Sequence, residues 1–464
     1  MNARLIKGWQ DLQSSYYFIP SLMGLGSVIL AYATIYLDRH YGLVVSDESF
    51  LLSNKATGAR TILATIAGAM IGVAATTFSI TMVAVTSAAG QYGPRLIGNF
   101  MRDRGNQVTL GTFTSTFIYC LLILRVARSA SYGQDISITE FVPNISLLVA
   151  MGLTLMSVGV LIYFIHHVPE TLNVGNITGR VGRQLRCDIE DRYAVEIGEP
   201  IHPDSVNLAN FPLDKSINIK ARAEGYIQAI NQNSLLKLAT ETQAIVKIEY
   251  RPGDFVTKGD VIMRLWLEDE LKQGIDESVD QSFRNSFAMG QERTSYQNIL
   301  FLADELVEIL ARALSPGVND PFTAINCINW YHSALKSFLN SESPSPFRAD
   351  KNGDLRVIAF PISFERFASV LCDQSRAYIA ADRNTTLKMM TILTELSADC
   401  EDEARRSVLL HHLALLLSAA RTQLASKPDS DAVEDYYKKV LELIEDPEAF
   451  QKAEFSQNWV AGRG

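Results

Sequence analysis

Apolar residues crowd the first third of the chain in long uncharged runs, and charged residues punctuate everything after it. Crossing a bilayer as a helix takes roughly 17–25 mainly apolar residues. Four stretches reach that length, at about 18–37, 61–88, 108–124 and 141–165. They predict an α-helical membrane bundle over residues 1–170. Ala31-Tyr32-Ala33 fits the small-x-small pattern of a signal-peptide cleavage site. The segment before it is long and carries Trp9, Tyr16 and Tyr17, and the apolar run continues to Leu37, so the first stretch is read as a retained span.

The second span has two unlike faces. On a 100° helical wheel, Thr65, Ala69, Gly72, Thr76, Ser79, Val83, Thr86 and Ser87 share one side. Leu63, Met70, Ala74, Phe78 and Val85 share the other. Small and hydroxylated residues let membrane helices approach closely and hydrogen-bond. The same residues can line a hydrated pathway. Both readings stay open, with Thr65, Gly72, Thr76, Ser79, Val83 and Thr86 as the pore-lining candidates. No Asp, Glu, Lys or Arg falls within the four apolar stretches, which argues against a proton-coupled pump, since such machines keep ionisable groups in the membrane.

Orientation follows from Lys and Arg in the short flanks. Arg4 and Lys7 precede span one, Arg95, Arg102 and Arg104 separate spans two and three, and Arg180, Arg183 and Arg186 follow span four. The opposite side carries fewer: Arg39, Lys55 and Arg60, then Arg125 and Arg128. The bias places both termini in the cytoplasm of a bacterial inner membrane, and the charged two-thirds of the chain with them. In the loop between spans two and three, Pro94 can open a short helix with Leu96, Ile97, Phe100 and Met101 on one side. Arg95, Arg102 and Arg104 then suit either lipid headgroups or the mouth of a pore.

Beyond the spans the period changes. Residues 171–215 read as a charged connector, 216–268 as a β-rich module and 269–464 as a helical region. Strands are predicted at Ile217, Gly225, Ala244, Phe255 and Val261, with a short helix at Ser234 and turns at Arg251-Pro-Gly-Asp and Lys258-Gly-Asp. A further strand is expected around Leu355, and helices at about 291–314, 364–383, 386–402, 405–425 and 431–444. Asn319-Asp320-Pro321 has the chemistry of a helix start, with Asp320 as cap and Pro321 in the first turn.

Charge and motifs narrow the function. A net charge of −9 excludes general nucleic-acid binding, which needs a basic surface. The five cysteines, Cys120, Cys187, Cys327, Cys372 and Cys400, are odd in number and nowhere spaced CxxC, so neither a zinc site nor a disulfide framework is expected. No GxSxG, P-loop, HExxH or GxGxxG occurs. His411 and His412 are adjacent and so diverge on a helix, and the cluster Asp399, Glu401, Asp402 and Glu403 reads as a solvated face. No enzyme, cofactor or metal is expected.

Two resemblances add to this. Gly253-Asp-Phe-Val-Thr-Lys-Gly-Asp-Val-Ile resembles half of the barrel-sandwich hybrid of biotinyl and lipoyl carriers and membrane-fusion adaptors. Carriers hold their modified lysine on a hairpin tip, whereas Lys237 lies in a helical pattern, so a structural module is expected. Across nearly its whole length the chain resembles the bacterial membrane family known as domain of unknown function 2254. Phe78-Ser-Ile-Thr-Met-Val-Ala-Val through Gln91-Tyr-Gly-Pro-Arg-Leu, Arg102-Asp-Arg-Gly-Asn-Gln-Val-Thr-Leu-Gly-Thr-Phe and Arg312-Ala-Leu-Ser-Pro-Gly-Val-Asn-Asp-Pro-Phe-Thr-Ala-Ile carry the likeness. Tyr92 departs from it, standing where the family pattern has Phe-Ser. The resemblance implies membrane helices followed by a cytoplasmic region and brings no activity with it. The resulting expectation is a homo-oligomeric, anion-preferring channel in the lipid bilayer; a membrane-anchored scaffold or sensor is the alternative.

Overall fold

A computed structural model of the protein describes residues 17–46, 56–93, 103–127, 131–132, 137–138, 141–192, 197–267 and 276–445. The chain divides into two compact units that part between Asn176 and Ile177.

The first unit is built on four helices, α1 (Phe18–Ser46), α2 (Ala56–Tyr92), α3 (Arg104–Val126) and α4 (Asn144–Leu172). Each contains a stretch long and apolar enough to cross a membrane, at Phe18–His40, Ala56–Gln91, Arg104–Val126 and Asn144–Leu172. A two-strand hairpin, β1 (Ser131–Tyr132) with β2 (Ser137–Ile138), lies between α3 and α4. The third helix packs along each of the other three. In its most apolar stretch 56% of residues are buried, against 22% in each of the others, so α3 is the centre of the bundle. Ala31, Ala59, Leu63, Ala67, Tyr119, Ile123, Leu147 and Ala150 form one core around it, and Met70, Ala74 and Phe113 a second. Small residues on α1 and α2 allow α3 this close approach.

One expectation about the spans is corrected here. The first helix does not end with the uncharged run at Leu37 but continues to Ser46, so Asp38 lies within it and is only 4% exposed. A carboxylate survives there because the start of α4 supplies its hydrogen-bond donors.

The second unit combines two sheets with a helical region. The first half of the stretch expected as a connector is a helix, α5 (Val174–Arg192), with Ile177, Val181, Leu185 and Ile189 buried along one side at i, i+4 spacing. A six-stranded sheet has the order β3-β10-β11-β6-β8-β4, from β3 (Glu199–Pro200), β4 (Ile217–Lys220), β6 (Ile245–Ile248), β8 (Val261–Trp266), β10 (Phe347–Ala349) and β11 (Leu355–Ile358). All its pairings are antiparallel except β11 with β6. A three-stranded sheet, β7-β5-β9, comprises β5 (Gly225–Ile230), β7 (Phe255–Val256) and β9 (Phe287–Gly290). Ile227, Ile230, Val246, Met263, Leu265, Phe283, Phe287 and Val357 bury one shared core, to which α6 (Gln232–Glu241) adds Leu235 and Ala239.

Both Gly-Asp turns follow from local chemistry. Asp254 Oδ2 accepts from the Arg251 amide at 2.7 Å, and Asp260 Oδ2 from the Thr257 amide at 2.7 Å. Gly253 and Gly259 adopt φ of 99° and 103°, which favours glycine. After α7 (Glu277–Arg284) come α8 (Ile299–Ala313), α9 (Pro321–Asn340), α10 (Phe364–Ile379), α11 (Arg383–Asp399), α12 (Glu403–Gln423) and α13 (Lys427–Glu445). They pack as neighbours, α8 on α9 and α10, α11 on α9, α12 and α13, and α12 on α10.

Candidate functional site

The two faces of α2 separate in the fold. Its 37 residues hold no proline, and three of its hydroxyls bond back along the helix: Thr61 donates to Thr57 O at 2.9 Å, Thr65 to Thr61 O at 2.8 Å and Thr81 to Thr77 O at 2.7 Å. Bonded in this way, threonines need no partner helix. Ala59, Leu63, Ala67, Met70, Ala74, Val85 and Ala89 are buried in the bundle. Thr65, Ala69, Gly72, Thr76, Ser79, Val83, Thr86 and Ser87 are all exposed, Val83 by 70%. Nothing lies within 4 Å of where a Cβ would stand on Gly68 or Gly72, a Gly-x-x-x-Gly pair on this outer side. The pore-lining candidates therefore form one strip on the outside of the bundle. Among the described residues, nothing covers them. Phe78, grouped with the oily face by the wheel, is itself 40% exposed.

The outward faces of α1 and α4 differ from this strip. On α1 they present Leu22, Leu25, Ile29, Tyr32 and Tyr36, and on α4 Leu148, Met151, Leu155, Ile162 and Ile165. Large apolar side chains suit lipid tails; small residues and glycines suit another helix.

Polar groups that sequence reasoning missed are gathered on α3. Thr109, Thr112, Thr116 and Tyr119 are buried in the bundle. Thr116 and Ser157 of α4 share a hydrogen bond of 3.2 Å. Tyr119 Oη donates to Ser146 O at 3.1 Å and lies 2.9 Å from Thr34 Oγ1 on α1. Beside it, Asp38 Oδ1 accepts from the Ile145 amide at 2.7 Å, and Oδ2 from the Ser146 amide at 3.0 Å and the Ser146 hydroxyl at 2.5 Å. Asp38 thus caps α4 from another helix. At the other end of α3, Asp103 caps the first turn by accepting from the Asn106 amide at 3.1 Å, and the same oxygen lies 2.8 Å from His167 Nε2 on α4. The signal was present in part: Arg104–Val126 has the lowest mean hydropathy of the four, 1.5.

Of the basic mouth candidates, Arg104 is exposed at the first position of α3, and Arg95 and Arg102 lie outside the described residues, as does the short helix expected after Pro94. In the second unit, Asp320 caps α9: its Oδ1 accepts from the Thr323 amide at 3.1 Å and its Oδ2 from the Thr323 hydroxyl at 2.6 Å. Pro321 occupies the first turn, and Asn319 turns the chain with φ of 50°. Lys237 is exposed on α6 beside Glu241. His411 and His412 diverge, His412 being buried and His411 exposed. Among the described residues no group of three or more His, Cys, Asp or Glu could hold a metal.

A family model described as Predicted membrane protein (DUF2254) matches residues 13–395. Curated relatives include uncharacterized protein Rv1290c of Mycobacterium tuberculosis and uncharacterized protein Mb1321c of Mycobacterium bovis. Each is 28% identical over 397 residues, covering 84% of this chain and 73% of the relative. No solved structure matches the chain.

Proposed function

The chain belongs to the DUF2254 family of predicted membrane proteins, and we propose that copies of it assemble in a bacterial inner membrane as a channel whose pathway α2 lines. One observation carries this reading: α2 turns Leu63, Met70, Ala74 and Val85 into its own bundle and its hydroxyl and glycine strip out, beside the exposed Ile71, Phe78 and Ile80. A lipid-facing helix gains nothing from such a strip. A second copy gains close approach at Gly68 and Gly72, and an axial pathway gains the hydroxyls of Thr76, Ser79 and Thr86. Passive flux needs no ionisable group on that strip, and the strip has none.

Arginines 95, 102 and 104 follow the last turn of α2. Repeated around an axis they make a positive mouth that favours anions. With both termini cytoplasmic, the second unit forms a vestibule, and its barrel-sandwich-like β module serves assembly and carries no cofactor. Currents from the purified protein in planar bilayers test the reading. Val83→Ser raises conductance by wetting an apolar ring, and Arg95→Glu moves the reversal potential toward cations. Silent bilayers under voltage, tension and pH changes would overturn the channel in favour of a membrane-anchored scaffold or sensor.

A further inference from the structure

Between α8 and α9 the motif Ser315-Pro-Gly-Val-Asn-Asp-Pro-Phe322 holds a phenyl ring outward. Phe322 is 80% exposed, more than any other large apolar side chain among the described residues, including those on the outward faces of α1 and α4. The loop before it is fixed by its backbone. The Asn319 amide donates to Ser315 O at 2.9 Å and the Asp320 amide to Ala313 O at 2.7 Å. Asp320 then caps α9, and Phe322 follows in the first turn. One exposed phenyl ring means nothing by itself. Its setting gives it meaning.

The setting begins with two parallel helices. Asn326 of α9 donates to Thr178 Oγ1 of α5 at 2.8 Å, Trp330 fills the space at Gly182, and Ser337 donates to Glu190 at 3.3 Å. The contacts advance together along both helices, so both begin at the same end. Phe322 lies one turn before Asn326 on the same side of α9. Asn173 alone joins α5 to α4, which is long and apolar enough to cross the membrane. Thr178 follows Leu172 by six residues, and six residues span at most about 20 Å when fully extended. The chain itself therefore tethers Thr178, and with it the start of α9, close to where the span leaves the bilayer.

Charge at this end of α5 points the same way. Arg180 and Arg183 are exposed, and Arg183 lies 5.9 Å over the Trp330 ring. Arg186 pairs with Glu190 at 3.4 Å, whereas Arg180 and Arg183 have no carboxylate partner among the described residues. Aromatic rings suit the membrane–water boundary, and basic side chains suit anionic headgroups.

We infer that the start of α9, with Phe322 at its tip and Arg180 and Arg183 on the neighbouring helix, docks onto the anionic surface of the bilayer that α4 crosses. The Phe322 ring enters the boundary between headgroups and acyl chains, and the two guanidiniums bind lipid phosphates. The docking needs α4 to span the membrane and is independent of the channel.

A dye reports the docking in the full-length protein. With Cys187 and Cys400 replaced by serine, the remaining cysteines are buried, and Gly317→Cys carries the label. Gly317 is exposed, and a Cβ there meets nothing within 4 Å. Nanodiscs of phosphatidylcholine and phosphatidylglycerol include lipid with a nitroxide on its headgroup. The nitroxide should quench this dye, and iodide in the water should quench it less than a dye at Lys351→Cys in the exposed β10–β11 turn. Phe322→Asp, a change the fold tolerates at so exposed a position, should free the dye from the nitroxide. Arg180→Gln should lower the ratio of docked to free protein about five-fold, the worth of one basic side chain at an anionic surface. A dye at Gly317→Cys that iodide reaches as readily as at Lys351→Cys, and that the nitroxide leaves bright, would overturn the docking. So would shielding from iodide without nitroxide quenching, the sign of a protein covering the site. Nitroxide quenching unchanged in both Phe322→Asp and Arg180→Gln would overturn it as well.

Discussion

Replacing Asp38 by alanine is the sharpest test of how the membrane bundle is held. The carboxylate is 4% exposed and receives the Ile145 amide, the Ser146 amide and the Ser146 hydroxyl, capping a helix more than 100 positions away in sequence. The three losses are unequal. Ser146 is fully buried, so its amide is stranded, at about 1–3 kcal/mol. The Ile145 amide is part-buried and costs less, and the Ser146 hydroxyl can rotate to a backbone carbonyl. Loss of a cap alone typically costs about 0.5–2 kcal/mol, so the sum for Asp38→Ala is about 2–4 kcal/mol. For a unit of this size that lowers Tm by about 5–15 °C. Asp38→Asn keeps an acceptor and should fall between wild type and Asp38→Ala. The assay uses Cys120, fully buried beside Tyr119. With Cys120 as the sole thiol, a thiol-reactive dye reports when the bundle opens. An Asp38→Ala protein melting within about 1 °C of wild type would refute the reasoning.

Two further outcomes concern the second unit. Asp320→Ala removes both bonds to Thr323 and should cost about 1 kcal/mol, with Asp320→Asn near wild type; an unchanged melt would contradict the capping role. His412 is buried, with Nδ1 3.5 Å from Asp373 Oδ1, and burial lowers its pKa below 6.5 against the opposing pull of Asp373. Because the folded value is depressed, this stability is whole above 6.5 and is lost as pH falls from there toward the folded value. Thermal unfolding of His412→Leu should lose this part of the acid sensitivity, and parallel pH profiles would contradict it.

The membrane helices were legible in the sequence because hydropathy needs only local composition. So was the division of α2, where Leu63, Met70 and Val85 do face the core. Partners distant in sequence were not. Ending span one at its last uncharged residue hides Asp38, whose donors sit at Ile145 and Ser146. Asp103 and His167 look like two loop residues until α3 and α4 are laid side by side. In the second unit β4, β5, β6, β7, β8 and β11 were readable from their alternation, whereas β9, which breaks the stretch read as helical after Asp269, the pairing of β11 with β6 and the two-residue β3 were not. The glycines of α5 made it resemble a linker. In the fold, a Cβ on Gly182 would stand 2.2 Å from Trp330, so this glycine opens the space that ring fills.

Cysteine cross-linking along α2 in native membranes tests the central claim most directly. In a background with Cys187 and Cys400 replaced by serine, Ser79→Cys places a thiol on the small-residue strip and Ile29→Cys places one on the oily face of α1. If copies meet through α2, mild oxidation should convert Ser79→Cys to a disulfide-linked dimer and leave Ile29→Cys monomeric. Efficient cross-linking at Ile29→Cys with none at Ser79→Cys would contradict the account.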